Sequence, residues 1–292
     1  MIRTVKITNF RGETLTLDLA NPWESGLAVT AIKGLGPNKA TINTVSVASN
    51  DGATFNSARV ESRNIVMSLQ FVGVNIEECR RLTYKFFPLK KPLTFEVITD
   101  ERQAAIIGYV ESNEPDIFSK IESSNISIVC PDPFFKASLE PNVNVVFYGE
   151  EALFEFPFEN EGAEPALEVG RINEVTEANV PYDGDFEVGG IFTIHALGPA
   201  KNIQIDNLDT RESMVINIEL EEGDDLIIST VSNNKYIRRL RDGVYTNVLN
   251  SLGRKSNWFK LSRGDNAFAY RAEEGMANLR LDVSHTVLYE GI

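Results

Sequence analysis

Gly223-Asp224-Asp225-Leu226-Ile227-Ile228-Ser229-Thr230, Gly264-Asp265-Asn266-Ala267-Phe268-Ala269-Tyr270 and Asn278-Leu279-Arg280-Leu281-Asp282-Val283 are three turn-and-strand passages in the last third of the chain. Asp and Gly supply the turns. The stretches that follow are short, rich in branched and aromatic residues, and partly alternating. Alternation sends one face of each strand to a core and the other to water, the pattern of a two-layer sandwich. Gly223 to Ile292 carries no cluster of catalytic residue types, so this region reads as a building block or a binder.

Working upstream, Val143-Val145-Phe147, Phe154-Phe156-Phe158, Leu167-Val169, Ile191-Thr193-His195 and Val215-Ile216-Asn217-Ile218 extend the strand pattern. A short helical or 3-10 piece is expected between Val244 and Leu252. The run ends at Cys130-Pro131-Asp132-Pro133, where two prolines remove donors and disfavour helix. The expected domains are therefore 1–133 and 134–292.

Before the boundary, Leu15-Thr16-Leu17-Asp18-Leu19 and Ile65 to Phe71 alternate as strands. Leu93 to Val97 and Ala104 to Val110 form a further pair, and Asn125 to Cys130 one more strand. A helix over about 75–87 is capped by Asn75, carries Glu77 and Glu78 in its first turn and stops at Pro88. Ile76, Cys79, Leu82 or Thr83, and Phe86 share one stripe of it. Residues 34–58 are poor in large apolar groups and cannot bury much alone. They form a loose loop or an arm, about 36–62, that needs another surface.

Composition bounds the reading further. The chain has 292 residues, 42% hydrophobic and 24% charged, in the range of a globular protein with two cores. No apolar run fits a signal peptide or a membrane span, so no membrane partner is expected. Two cysteines, Cys79 and Cys130, make no disulfide framework and read as small buried hydrophobes. The net charge of −14 falls wholly in one region: residues 131–225 hold 4 basic and 22 acidic side chains, and 226–292 hold 10 and 6. Such an acidic surface repels phosphate and argues against sequence-specific nucleic-acid binding.

Arg59 to Phe71, the helix ending in Phe86-Phe87-Pro88, Gly108-Tyr109-Val110 and Val129-Cys130-Pro131-Asp132-Pro133-Phe134-Phe135 together resemble the N-terminal module of siphophage distal tail proteins. Gly223 to Ile228, Trp258-Phe259-Lys260-Leu261, Gly264-Asp265-Asn266 and Tyr289-Glu290-Gly291-Ile292 are similar to the second domain of that family. The resemblance implies a mainly β protein. Its first domain would be a β-sandwich or split barrel with one helix and an extended hairpin arm, and its second a galectin-like β-sandwich. It also implies a homohexameric hub at the tail tip of a non-contractile phage or prophage, joining the tail tube protein to receptor-binding components. By the same resemblance the hub is made in the host cytoplasm, carried on the virion, and threaded by the genome. The other reading, prompted by the galectin-like fold, is a carbohydrate-binding adhesion module for cell-wall saccharides.

No catalytic, cofactor or metal site is expected. His195 and His285 stand without a nucleophile at a recognisable spacing. Asp183-Gly184-Asp185 and Glu221-Glu222-Gly223-Asp224-Asp225 are carboxylate clusters that turn chemistry accounts for. Trp258 and Arg263 are the residue of a galectin sugar set whose Glu is missing, and Trp258 is expected in the core. His195-Ala196-Leu197-Gly198-Pro199 likewise lacks the following Asn and Arg. Arg238, Arg239 and Arg241 form the densest basic cluster and are expected to face an acidic partner. Arg59 and Arg63 flank the strand beside the arm and are expected to touch the adjoining subunit.

Overall fold

Period-two alternation becomes strands that bury alternate side chains: Val5 and Ile7 in β1 (Ile2–Asn9), and Ile65, Met67, Leu69 and Phe71 in β6 (Arg63–Phe71). The computed structural model describes residues 1–46, 51–137, 139, 143–147, 149–152, 170–173 and 176–292. The strands expected at Phe154 to Phe158 and Leu167 to Val169 lie outside these. The chain divides into two units, residues 1–140 with 288–292, and residues 141–287. The last five residues thus leave the second unit and return to the first, which the reading of Gly223 to Ile292 as one sandwich did not anticipate.

In the first unit β2 (Thr14–Asp18), β1, β7 (Pro92–Thr99), β8 (Gln103–Asp116), β9 (Ser123–Cys130), β6 and β3 (Leu27–Lys33) are neighbours in that order in one antiparallel sheet. β10 (Phe135–Lys136) joins it beside β8, and β23 (Leu288–Tyr289) pairs with β10, giving nine strands. The sheet stays open, its edges β2 and β3 approaching without a ladder between them.

Helix α1 (Ile76–Phe86) forms where expected. The Asn75 side chain accepts from the N–H groups of Glu77 and Glu78, and Cys79, Thr83 and Phe86 face inward. Thr83 is the buried member, its hydroxyl donating to the Arg80 carbonyl at 2.8 Å and so entering the core satisfied, while Leu82 packs partly buried against the same core.

The arm is a hairpin of β4 (Ala40–Val45) and β5 (Thr54–Val60), a two-stranded sheet of its own with residues 47–50 outside the description. Gly34 leads into it at φ +86, and a Cβ there would meet the Asn64 carbonyl oxygen at 2.2 Å. Only glycine fits that entry.

The second unit holds two larger antiparallel sheets. One orders β11 (Val143–Val146), β22 (Leu279–His285), β15 (Ile191–Ala196), β18 (Asp225–Ser229), β19 (Tyr236–Arg241) and β20 (Val244–Asn247). The other orders β14 (Glu177–Tyr182), β21 (Gly264–Glu274), β16 (Ala200–Asn207) and β17 (Glu212–Leu220). A separate ribbon pairs β12 (Gly149–Ala152) with β13 (Gly170–Asn173). The helical or 3-10 piece expected between Val244 and Leu252 is a single 3-10 turn, Leu249–Ser251, which follows strand β20. Asp242-Gly243, both at positive φ, turn the chain back there as a two-residue hairpin.

Phe192 of β15 and Phe268 of β21 meet edge to face at 5.1 Å, and Phe259 closes a triangle with them at 5.8 and 5.6 Å. The two sheets are thereby joined through buried rings, each such pair adding about 0.5–1.5 kcal/mol beyond area burial.

Candidate functional site

The arm is the first surface that the fold leaves unexplained. In its register Ala40 faces Val60, Ile42 faces Ala58, and Thr44 faces Phe55 after a bulge. Directly paired residues share a face. One face of the ribbon is therefore almost wholly apolar, with Ile42 and Phe55 each 63% exposed. The opposite face carries Thr41 with Arg59 and Asn43 with Ser57, the last two hydrogen-bonded at 3.0 Å. A two-stranded ribbon is marginal in water by itself, and this one has an apolar face with nothing laid over it among the described residues.

Arg59 lies exposed on the polar face of that ribbon. Arg63, four positions on, has a different place, and the expectation of a contact with an adjoining subunit is corrected for it. Its side chain is 1% exposed and lies over the Phe135 ring at 4.7 Å. Its guanidinium donates to the carbonyls of Pro133, Gly34, Gly36 and Glu290 at 2.5 to 2.7 Å. Arg63 heads a strand whose odd positions point into the core, so alternation carries it inward; Arg59, on the ribbon, is not bound by that pattern. Burial pulls the guanidinium down from its ordinary value. The same interior pushes the nearby Cys130 thiol up to about 11.

The three arginines of β19 do not form one patch. Arg238 pairs with Ile227 and Asn247 and lies exposed over the Tyr236 ring at 4.4 Å. Arg239 pairs with the buried Leu226, so it shares the inward face, where its Nε is buried with no partner among the described residues. Arg241 points the same way and clamps Asp224 through Nε and Nη2, both at 2.6 Å, with Glu221 at 2.9 Å from Nη1. Of the expected partner-facing cluster only Arg238 faces outward. Clustering in sequence misleads within a strand because neighbours diverge to opposite faces. Asp224 itself is buried, and its carboxyl is held below the ordinary range chiefly by the Arg241 hydrogen bonds.

His195 Nδ1 is hydrogen-bonded to the Asp225 carboxylate at 2.7 Å, and its Nε2 lies 3.5 Å from the Asp282 carboxylate. With Val146, Leu197 and Arg280 these residues line an open cleft of ≈ 430 Å³ in the second unit. Both imidazole nitrogens face carboxylates of the chain itself, so the ring ties β15 to its two neighbours. His285 is buried, 3.0 Å from the Pro181 carbonyl and edge-on to Tyr182, and burial lowers its pKa.

Trp258 is half-buried under the Lys235 ammonium at 5.3 Å, and its neighbour Phe259 takes the core position instead. Arg263 lies 3.7 Å from Asp183. The two carboxylate runs are thus largely accounted for: Asp183 by Arg263, Asp224 by Arg241, Asp225 by His195. Among the described residues no group of three or more His, Cys, Asp or Glu side chains is arranged to hold a metal ion.

Residues 183–287 match the family model described as the siphovirus-type tail component, C-terminal domain. Curated protein sequences give no match. In structure the chain is similar to the SPP1 phage protein Dit, described as a paradigm of the hub adsorption apparatus in phages infecting Gram-positive hosts. That similarity has a TM-score of 0.61 at 11% identity and covers 97% of this chain and 98% of that one, which shows a shared fold. Chains of the phage P2 baseplate in its activated conformation are also similar. The form with Ca gives a TM-score of 0.48 at 14% identity over 100% of both chains, and the form with Sr 0.47 at 15% over 98% of both. Residues 183–287 of the second unit are thus similar to the siphovirus-type tail component C-terminal domain, and the chain as a whole shares the fold of Dit.

Proposed function

We propose that the chain is a structural, non-catalytic subunit of a homohexameric hub at the tip of a non-contractile phage tail. It is made in the host cytoplasm and assembled into the virion, where it joins the tail tube protein above to receptor-binding components below. The observation that carries this reading is the arm. Its apolar face has no cover among the described residues, and closed rotational symmetry would give every arm in a ring the same neighbour to lie on. Ile42 and Phe55 anchor that contact. Arg59, on the other face, borders it, and Arg238 is the one arginine of β19 free to meet an acidic partner.

The carbohydrate reading is weakened at the residues that prompted it. Trp258 lies beneath Lys235, Arg263 faces Asp183, and His195 lies between the carboxylates of Asp225 and Asp282. A sugar site needs such groups turned toward an open ligand. Electron micrographs of the purified protein, alone and co-expressed with its neighbouring tail proteins, test the proposal. Sixfold rings are expected; a monomer in both preparations that binds cell-wall polysaccharide would favour the adhesion module.

A further inference from the structure

Arg63 gathers segments that are remote in sequence. Gly34 and Gly36 lie at the base of the arm, Pro133 in the stretch leading out of the first unit, and Glu290 in the segment that returns to it. All four acceptors are neutral carbonyls. A buried guanidinium whose hydrogen bonds all go to neutral carbonyls depends on every one of them, because a lost acceptor leaves a buried charge with an unmade hydrogen bond.

The returning segment is the weakest member of this set. Its ladder to β10 is two residues long, Phe135 with Tyr289 and Lys136 with Leu288. Leu288 to Ile292 are all half-buried rather than fully enclosed. Yet its far end reaches the arm directly. The Ile292 N–H donates to the Leu35 carbonyl at 3.0 Å, and Gly291 lies so close that a Cβ would come within 3.0 Å of that same oxygen. A short strap therefore touches the hinge of an arm that makes no ladder with the main sheet.

We propose that residues 288–292 are a latch on the arm, acting through Arg63 and Leu35, and that releasing them frees the arm's base while the nine-stranded sheet stays intact. The chain enters the second unit at 141 and leaves it at 287. A pull transmitted along the departing segment would act on the strap before it acts on the core. The latch is a property of the single chain and does not require that the arm meet another subunit.

Hydrogen exchange tests it, comparing the full chain with a chain ending at Val287 and with one lacking only Ile292, all in the same oligomeric state. Residues 33–38 are expected to exchange at least tenfold faster in the shorter chain and to a lesser degree without Ile292, with Ile2–Asn9 and Pro92–Thr99 unchanged. Unchanged exchange at 33–38 would overturn the proposal. So would an equal rise across Ile2–Asn9 and Pro92–Thr99, since the strap would then be an ordinary core strand. In the full chain, Arg63→Lys is expected to loosen 33–38 and 288–292 together. Loosening of one without the other would show that Arg63 does not couple them.

Discussion

The guanidinium of Arg63 reaches the carbonyl of Glu290 at 2.6 Å across 227 positions of sequence. That bond, with the three others at the same side chain, holds a buried charge beside the apolar core of the first unit. Arg63→Ala leaves four acceptors without their donor and opens a void beside Phe135. A loss of about 3–5 kcal/mol is expected, read as a lower denaturant midpoint for the first unit. A loss under about 1 kcal/mol would mean that water replaces the guanidinium at little cost.

The second unit depends on its ring triangle. Phe268→Ala removes a fully buried ring that touches Phe192 and Phe259. It is expected to cost about 3–5 kcal/mol. The lowered melting should appear in the second unit while the first keeps its own transition, because the two units have separate cores.

Asp224 and Arg241 set an acid limit. The carboxyl titrates below its ordinary value in the folded chain because Arg241 holds it ionised. The unfolded chain therefore takes up the proton first as pH falls. The stabilisation is full above about pH 4, the ordinary carboxylate value, and is lost as pH falls through the folded value. Asp224→Asn should lower stability at neutral pH and flatten the acid limb of the pH–stability curve. An unchanged limb would assign acid unfolding to other carboxylates.

Cys130 should be inert. Burial holds its thiol near 11, so little thiolate exists at neutral pH. Thiol-reactive dye is expected to leave Cys130 unlabelled in the folded chain and to label it on denaturation, as followed by peptide mass mapping. Rapid labelling of the folded chain would contradict the burial described.

Residues with a strong local signal announced their places. Asn75, Glu77 and Pro88 bracket a helix by capping chemistry that needs no tertiary partner, and they did so here. The alternation at Ile191 to His195 and at Asn278 to Val283 likewise gave strands. What sequence hid were relationships across distance. Nothing near Arg63 indicates that its partners are the carbonyls of residues 34, 36, 133 and 290, because backbone acceptors carry no residue signature. The β19 arginines look like one patch until the register with β18 separates Arg238 from Arg239. Trp258, expected in the core because its sugar-binding companions are missing, is half-buried, and the strand-like alternation of Phe259 and Leu261 puts those two inside. The return of 288–292 to the first unit had no compositional mark at all, since a two-residue ladder is too short for a pattern.

In the proposed hub the arm's apolar face is an interface between copies of the chain. Native mass spectrometry of the full chain and of the double variant Ile42→Asp, Phe55→Asp tests it most directly, with neighbouring tail proteins co-expressed for both. Both positions are exposed in the single chain, so the substitutions are expected to change its own stability by less than about 0.5 kcal/mol. The account predicts a sixfold assembly for the unaltered chain and monomer for the variant. A hexamer that survives both aspartates would contradict it.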